Sequence, residues 1–246
     1  MKILVTGGAG FIGANVIKVL LKKGYDVTSI DNYSTGKKEN EQKGCKYYDL
    51  DLSAVKYISI FGEKPDAIVH LAGLSRPMSL HNKNIIKSID LNIIGTANLV
   101  KVCSKKKIKI IFISTSYVYP GIMGNYKESD PLLPWNNYGW SKLGAESSVQ
   151  MYKNHLIIRA CMTERPFVHK FAFSDVKTNF IFHDQFIKIF IKLLKFKGII
   201  NLGGKRQSIY NFAKIYKKNI KRKKTKGELP RKMDMNLSKY KMLINE

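Results

Sequence analysis

Apolar residues along this chain fall into two kinds of pattern that alternate. Lys2 to Thr6 (KILVT) is a short unbroken apolar, β-rich run, the kind buried in a parallel sheet. Glycines follow, and then Asn15 to Lys23 (NVIKVLLKK) spaces its apolar residues for one helix face before Gly24 stops it. Asp26 to Ile30 reads as a second strand ending at Asp31, and Ala67 to Leu71 (AIVHL) as a third buried strand. A long helical pattern runs from about Ile85 to Cys103, Ile108 to Ile113 (IKIIFI) is a central strand, Ser141 to Tyr152 a helix and His155 to Arg159 a strand. Strands alternating with helices predict an α/β fold, a Rossmann-type doubly wound parallel sheet. The expected organisation is a domain over residues 1–160 and a small, reduced region over 161–246 with a basic tail. There is no internal repeat, and the one low-complexity stretch is the lysine-rich segment near residue 220.

Composition narrows the class. The 246 residues are 44% hydrophobic and 25% charged, an ordinary globular balance. No apolar stretch is long enough to span a bilayer, and the opening MKILVTGGAG turns to glycine too soon for the apolar core of a signal peptide. Cys45, Cys103 and Cys161 are far apart and in no metal-ligand spacing, so buried free thiols in a reducing, cytoplasmic setting are expected, and no metal. The net charge of +25 invites a nucleic-acid reading. Residues 188–246 hold 18 basic and 3 acidic side chains, so the excess is concentrated there. Lysine predominates, however, and lysine lacks the bidentate fork used to read bases, which argues against nucleic acid.

Thr6 to Gly13 reads TGGAGFIG, in which Gly7, Gly10 and Gly13 form G-x-x-G-x-x-G. Such glycines permit a tight turn and let backbone approach a pyrophosphate at a helix N-terminus. The pattern gains weight because it follows a strand, opens a helix and is followed by Asp31 at the end of the next strand. A carboxylate there binds a ribose diol and repels a 2′-phosphate, which favours NAD as cofactor over NADP. Farther on, Tyr138 and Lys142 form a YxxxK at a helix start, on one helical face. A free tyrosine ionises near pH ~10, and a nearby ammonium lowers that value toward neutrality. Thr115, in the strand-end sequence ISTSYVY, offers a hydroxyl to orient a substrate oxygen.

The blocks LVTGGAGFIG, IDNYSTGKKEN, HLAGLS, LNIIGT, ISTSYVY and YGWSKLGAE occur in one order over about the first 160 residues. In these the chain resembles the extended short-chain dehydrogenase/reductase superfamily, specifically its NAD-dependent nucleotide-sugar epimerase/dehydratase group. The resemblance implies that Phe11 and Ile12 lie over the pyrophosphate, that Asp31 and Asn32 hold the adenosine ribose, and that Asp49 and Leu50 edge the adenine. It implies that Leu71, Ala72, Gly73, Leu74 and Ser75 line the middle of the cofactor, with Asn92 near the active site and Cys161 against the nicotinamide. Thr115, Tyr138 and Lys142 match the catalytic trio, Lys142 also binding the nicotinamide ribose. A nucleotide-sugar substrate is implied, as is a homodimer through the two long helices.

Departures from the group's pattern matter too. Ser116 and Tyr117 stand where dehydratases carry an Asp-Glu pair, so dehydration is disfavoured. Met162 replaces the usual sugar-phosphate asparagine, and Glu164-Arg165-Pro166 replaces Tyr-Gly-Pro. Only 87 residues follow Arg159, so a reduced substrate region is expected, and the segments Asn201 to Ala213 and Pro230 to Leu243 look more like 4-keto-sugar reductases. Arg76, Arg165, Lys177 and Arg206 are candidates for a diphosphate clamp, since arginine pairs with phosphate bidentately. His70 reads as a structural strand-end residue, and Trp135 and Trp140 as packing or stacking groups. The leading reading is an epimerase acting by hydride transfer at a sugar carbinol. A 4-keto-sugar reductase of the dTDP-4-dehydrorhamnose reductase kind and a non-catalytic dinucleotide-binding regulator are the alternatives.

Overall fold

The structure, a computed structural model, describes residues 1–53, 64–75 and 78–244. Thirteen strands occur among the described residues. They are β1 (Lys2–Thr6), β2 (Asp26–Asp31), β3 (Lys46–Asp49), β4 (Ala67–His70), β5 (Lys109–Thr115), β6 (His155–Ala160), β7 (Met162–Thr163), β8 (Phe171–Phe173), β9 (Lys177–Thr178), β10 (Ile181–Phe182), β11 (Gly198–Leu202), β12 (Gln207–Ser208) and β13 (Lys221–Lys223). The α-helices are α1 (Phe11–Lys22), α2 (Ser79–Lys83), α3 (Ile85–Ser88), α4 (Gly95–Lys106), α5 (Asn137–Gln150), α6 (His183–Leu193), α7 (Ile209–Tyr216) and α8 (Ser238–Ile244).

Seven strands form one sheet in the order β11-β6-β5-β4-β1-β2-β3. β1 pairs in parallel with both β2 and β4, Val5 standing beside Ser29 on one side and Val69 on the other. The chain first runs outward from β1 to β3 and then returns to β4 to build the other half. That reversal is the switch point of a doubly wound sheet, where strand carboxyl ends open a crevice for ligands. The fold class expected from the alternating pattern is the one found.

By internal contacts the chain divides into two units that interleave along the sequence. The first comprises Met1–Ile113, Ser141–Ile157 and Leu194–Gly198. Here α1 packs on β1 and β2 through Val16, Ile17 and Leu20, all fully buried as their helical spacing requires. The predicted helix over Ile85 to Cys103 is built as α3, a π-helical segment at Ile89–Ile94 and α4. The π segment adds a residue to the turn and so shifts which side chains face inward. Lys109 sends its ammonium to two carbonyls, Leu194 O at 2.6 Å and Phe196 O at 2.7 Å.

The second unit comprises Ser114–Trp140, Ile158–Leu193 and Ile199–Glu246. Its short strands pair two by two, β7 with β10, β8 with β13 and β9 with β12. A core of Phe167, Val176, Phe182, Phe212 and Met233 fills it, the rings of Phe182 and Phe212 lying 5.1 Å apart. Arg159 is 1% exposed and survives there because its donors are answered. Its Nη1 donates to Tyr119 Oη (2.8 Å) and Glu128 O (3.0 Å), and Tyr119 bonds Asn201 Oδ1 at 2.9 Å.

Candidate active site

In the first unit, the glycine loop is bound to its neighbours at close range. Gly7 has φ +74°, and a Cβ on it would fall 2.7 Å from Ala72 N, so only glycine fits. A Cβ on Gly13 would lie 2.1 Å from Gly7 O, which is why the first turn of α1 can fold back onto the loop. Gly10 is the N-cap of α1, supplies no side-chain cap, and no acidic residue occupies the first turn. Such a helix end favours an anion. Phe11 is 62% exposed beside it, with Ile12 half-buried.

Asp31 ends β2 and is 8% exposed. Its Oδ2 accepts from Ala9 N and its Oδ1 from Tyr33 N, both at 2.9 Å, so the carboxylate also staples the loop that carries it. Asn32 donates through Nδ2 to Asp51 Oδ2 at 2.9 Å. Asp51 escaped the sequence reading because only the fold brings it to Asn32. Asp49 stands in register with Asp31, and Leu50 N donates to Asp31 O at 3.0 Å. After β4, Leu71 and Ala72 are half-buried while Gly73 and Ser75 are exposed, leaving an open strand end.

Asn92 organises this edge from the π-helical segment. It is 3% exposed; Oδ1 accepts from Leu74 N (2.7 Å), and Nδ2 donates to Leu74 O and Ser141 Oγ (both 2.9 Å). One amide thus ties the loop after β4 to α5. His70 is held between Thr6 Oγ1 at 2.7 Å and Thr96 Oγ1 at 2.8 Å, and burial together with the nearby Lys142 pushes its pKa down to about 3. It is a neutral strut, in keeping with its expected structural role. Lys142 on α5 sits with Nζ 4.0 Å from the centre of the Phe112 ring. Its ammonium is desolvated, although the residue keeps some accessible surface, and burial brings its pKa down to about 7 against the opposing pull of Glu146.

In the second unit, Thr115 ends β5 and is 7% exposed, its Oγ1 accepting from Tyr117 N at 3.3 Å. The Tyr117 ring meets Tyr138 edge-on, 5.9 Å between centroids, and leans on Trp135 at 5.0 Å. The chain therefore links Thr115 to Tyr138 through a single aromatic residue. Helix α5 starts four residues earlier than its apolar pattern predicts, because Asn136 caps it: Oδ1 accepts from Gly139 N at 2.7 Å. Gly139 is a further sterically constrained position that spacing alone does not reveal. A Cβ there would come within 2.5 Å of Tyr117 O, so glycine lets the first turn of α5 press onto the strand-end turn. Cys161 is 3% exposed with Sγ 2.9 Å from Thr178 Oγ1, and burial raises its pKa despite that bond. A buried thiol of raised pKa is ill-suited to act as a nucleophile.

The four clamp candidates separate. Lys177 and Arg206 line one cavity, whereas Arg165 lies over the Phe182 ring at 4.1 Å and pairs with Asp184 at 3.7 Å. Arg76 falls outside the described residues. Among the described residues there is no group of three His, Cys, Asp or Glu placed to hold a metal, and no helix long and apolar enough to cross a membrane. The three cysteines are free thiols. The narrow Gly7 and Gly13 cradle, the uncapped start of α1 and the carboxylate at the end of β2 fit a dinucleotide with a free ribose diol, which is NAD.

Comparison with known proteins agrees. UDP-glucose 4-epimerase of Lacticaseibacillus casei is 38% identical over 151 residues, 59% of this chain and 45% of the relative. UDP-glucuronic acid decarboxylase 1 of Danio rerio is 33% identical over 118 residues, 48% of this chain and 28% of the relative. These matches span less than half the length of either relative. Among solved structures, the Bordetella bronchiseptica enzyme WbmG in complex with NAD and UDP superposes with a TM-score of 0.85 at 21% identity, covering 100% of this chain and 89% of that one. The profile of the NAD dependent epimerase/dehydratase family matches residues 3–173, and the chain belongs to that family.

Proposed function

We propose that this protein is an NAD-dependent nucleotide-sugar epimerase that works at a sugar carbinol. The observation that carries the reading is the start of α5, where Tyr138 packs through Tyr117 on the Thr115 turn and Lys142 follows one helical turn later. Residues 1–160 supply the cofactor and catalytic groups in this reading, and 161–246 the substrate contacts. Bound NAD supplies the acceptor and returning donor of a hydride. Tyr138 Oη takes the proton of the sugar hydroxyl as its C–H bond breaks, and Thr115 Oγ1 holds the same oxygen. Lys142 supplies the positive charge that keeps Tyr138 ionised near neutral pH. Its own desolvation makes that charge costly when unpaired, so the ammonium gains most when a phenolate forms beside it. Ser116 and Tyr117, in place of two carboxylates, leave no acid–base pair for expelling water from the sugar.

The UDP-glucose 4-epimerase likeness supports a UDP-sugar substrate. The free cysteines support a reducing cytoplasm. Ile85, Ile86 and Ile89, all more than 40% exposed on consecutive helical turns, support a homodimer through that helix. The test is to incubate the purified protein with UDP-glucose and no added cofactor, and to resolve UDP-galactose by chromatography. Conversion that is lost in Tyr138→Phe supports the epimerase. Turnover only of a keto sugar, with stoichiometric consumption of NAD(P)H, replaces it with the reductase reading that the Asn201 to Ala213 segment favours.

A further inference from the structure

The proposed chemistry makes no use of the lysine-rich segment of the second unit. Residues 168–171 and 214–224 together hold eight Lys and Arg and no Asp or Glu. Although far apart in sequence, the two segments are laced together. Lys217, the C-cap of α7, donates its ammonium to His169 O at 2.9 Å, and Lys221 N donates to Lys170 O at 3.2 Å. β13 then runs parallel to β8 with Lys221 beside Phe171. Registered neighbours in a parallel pair project to one face, and the next pair along, here Ala172 beside Arg222, projects to the other. Ala172 is buried in the core, so Phe171 and Lys221 are turned away from it.

Lysine on a short edge strand ordinarily serves to discourage pairing with another chain. That role asks for charge alone, and this strip also carries large apolar side chains in the open. Val168, Phe171, Ile215 and Tyr216 are between 46% and 65% exposed. Lys170, Lys214, Lys218, Lys221 and Lys224 are exposed in the same segments and have no carboxylate partner among the described residues. Acidic groups on adjoining segments are already engaged: Glu228 with Lys223 at 2.6 Å, Asp175 with Arg231 at 3.6 Å and Asp184 with Arg165 at 3.7 Å. The strip thus joins uncompensated positive charge to exposed apolar surface. Charge complementarity calls for an extended anionic partner, and the apolar side chains for one with an apolar interior. Nucleic acid meets the first requirement only. Val168 and Ile215 have no ring to stack on a base, and lysine lacks the fork that reads one. An anionic bilayer meets both.

We propose that this strip docks the protein reversibly on a membrane surface rich in anionic lipid. The lysine ammoniums lie among the headgroup phosphates, while Val168, Phe171 and Ile215 enter the boundary between headgroups and acyl chains. Docking of this kind needs no membrane-spanning segment. It needs two signals together, and a polybasic patch beside inserting apolar side chains supplies them. The surface involves neither the cofactor nor the reacting groups, so it stands apart from the proposed reaction.

The test floats the full chain with vesicles of phosphatidylcholine and phosphatidylglycerol in equal parts, and with vesicles of phosphatidylcholine alone. Binding is expected to the mixed vesicles only, and should weaken as salt is raised. Lys218→Gln and Lys221→Gln should each lower the partition coefficient about fivefold. Phe171→Ser and Ile215→Ser, which keep the charge, should each lower it about fivefold or more. Lys101→Gln, which removes an exposed charge from α4 in the first unit, should leave it unchanged. Melting temperatures are measured alongside, and Ile215, the most exposed of the apolar group, carries that arm alone if Phe171→Ser is destabilised. No flotation with the mixed vesicles, equal flotation with phosphatidylcholine alone, or an equal loss in Lys101→Gln overturns the proposal. So does a pattern of charge only, in which the lysine variants lose binding and Ile215→Ser keeps it. Saturable binding of polyuridylate that Ile215→Ser leaves intact would then assign the strip to nucleic acid instead.

Discussion

Replacing Lys142 by methionine should stabilise the protein at acid pH while destroying its activity. Burial lowers the ammonium from 10.5 to about 7, so at a pH below that the folded protein carries a proton in an environment that resists it. At about 1.36 kcal/mol per pH unit, the interval corresponds to roughly 5 kcal/mol. Water reaching the partly accessible side chain cuts that to about half. Loss of the favourable contact with the Phe112 face removes about 0.5–1 kcal/mol more, which leaves a net gain of about 2 kcal/mol for the variant. The sign follows from proton counting. Between about 7 and 10.5 the unfolded lysine is protonated and the folded one is not, so wild-type stability rises with pH across that window. Methionine has no such proton, and the advantage of the variant should be full near pH 6 and shrink toward zero by pH 10. Glu146, left without its lysine, still accepts from Gln150 Nε2 at 3.2 Å and is not stranded. Urea unfolding followed by circular dichroism at both pH values measures the difference, and turnover of the same variant should fall by about a hundredfold or more. A variant less stable than wild type at pH 6, or a gap that stays constant up to pH 10, would refute the argument.

Three further substitutions probe the proposed reaction and its cofactor. Tyr138→Phe keeps the ring against Tyr117 and removes only the hydroxyl, so initial rates should drop by at least about a hundredfold with an unchanged melting temperature; loss of melting temperature in step with rate would point to a structural role instead. Gly139→Ala should destabilise by about 1–3 kcal/mol, although alanine is the better helix former, because its Cβ meets Tyr117 O at 2.5 Å. Differential scanning calorimetry decides the sign. Asp31→Ser should weaken NADH about tenfold and narrow the preference over NADPH, as read by fluorescence titration, if the carboxylate binds the ribose diol and repels a 2′-phosphate as the resemblance implies. An unchanged ratio of the two affinities would show that Asp31 serves only the Ala9 and Tyr33 amides.

The first unit was legible in the sequence because its elements repeat one local rule. Buried parallel strands such as KILVT and AIVHL must be apolar throughout, and α1 must be apolar on one face, so period and run length expose them. The glycine loop was legible because no other residue fits where a Cβ would strike backbone. β3 was missed for the converse reason. KYYD is an edge strand, half-buried at best, and its tyrosines and charges carry no apolar run. The start of α5 lies outside the apolar period because Asn136, Tyr138 and Gly139 serve capping and contact with Tyr117.

The second unit was illegible for a different reason, one that bears on what the family resemblance can carry. Its polar groups are satisfied at long range: Asn201 bonds Tyr126 and Tyr119 across more than 70 residues, and Arg206 finds Asp234. No window of sequence holds both partners, so Arg206 reads as one more surface cation until the fold puts a buried carboxylate behind it. The consequence is asymmetric. The cofactor half follows a shared pattern and reports family membership. The second unit is built from residues whose meaning depends on distant partners, so their roles follow from the fold and not from any local pattern. Asp234→Asn, at a position that touches no solvent, keeps the shape but removes the charge that holds Arg206, and should lower the melting temperature. An unchanged melting temperature would mean that the buried group serves the Asn125 turn, which an amide oxygen can still accept from, and not the arginine.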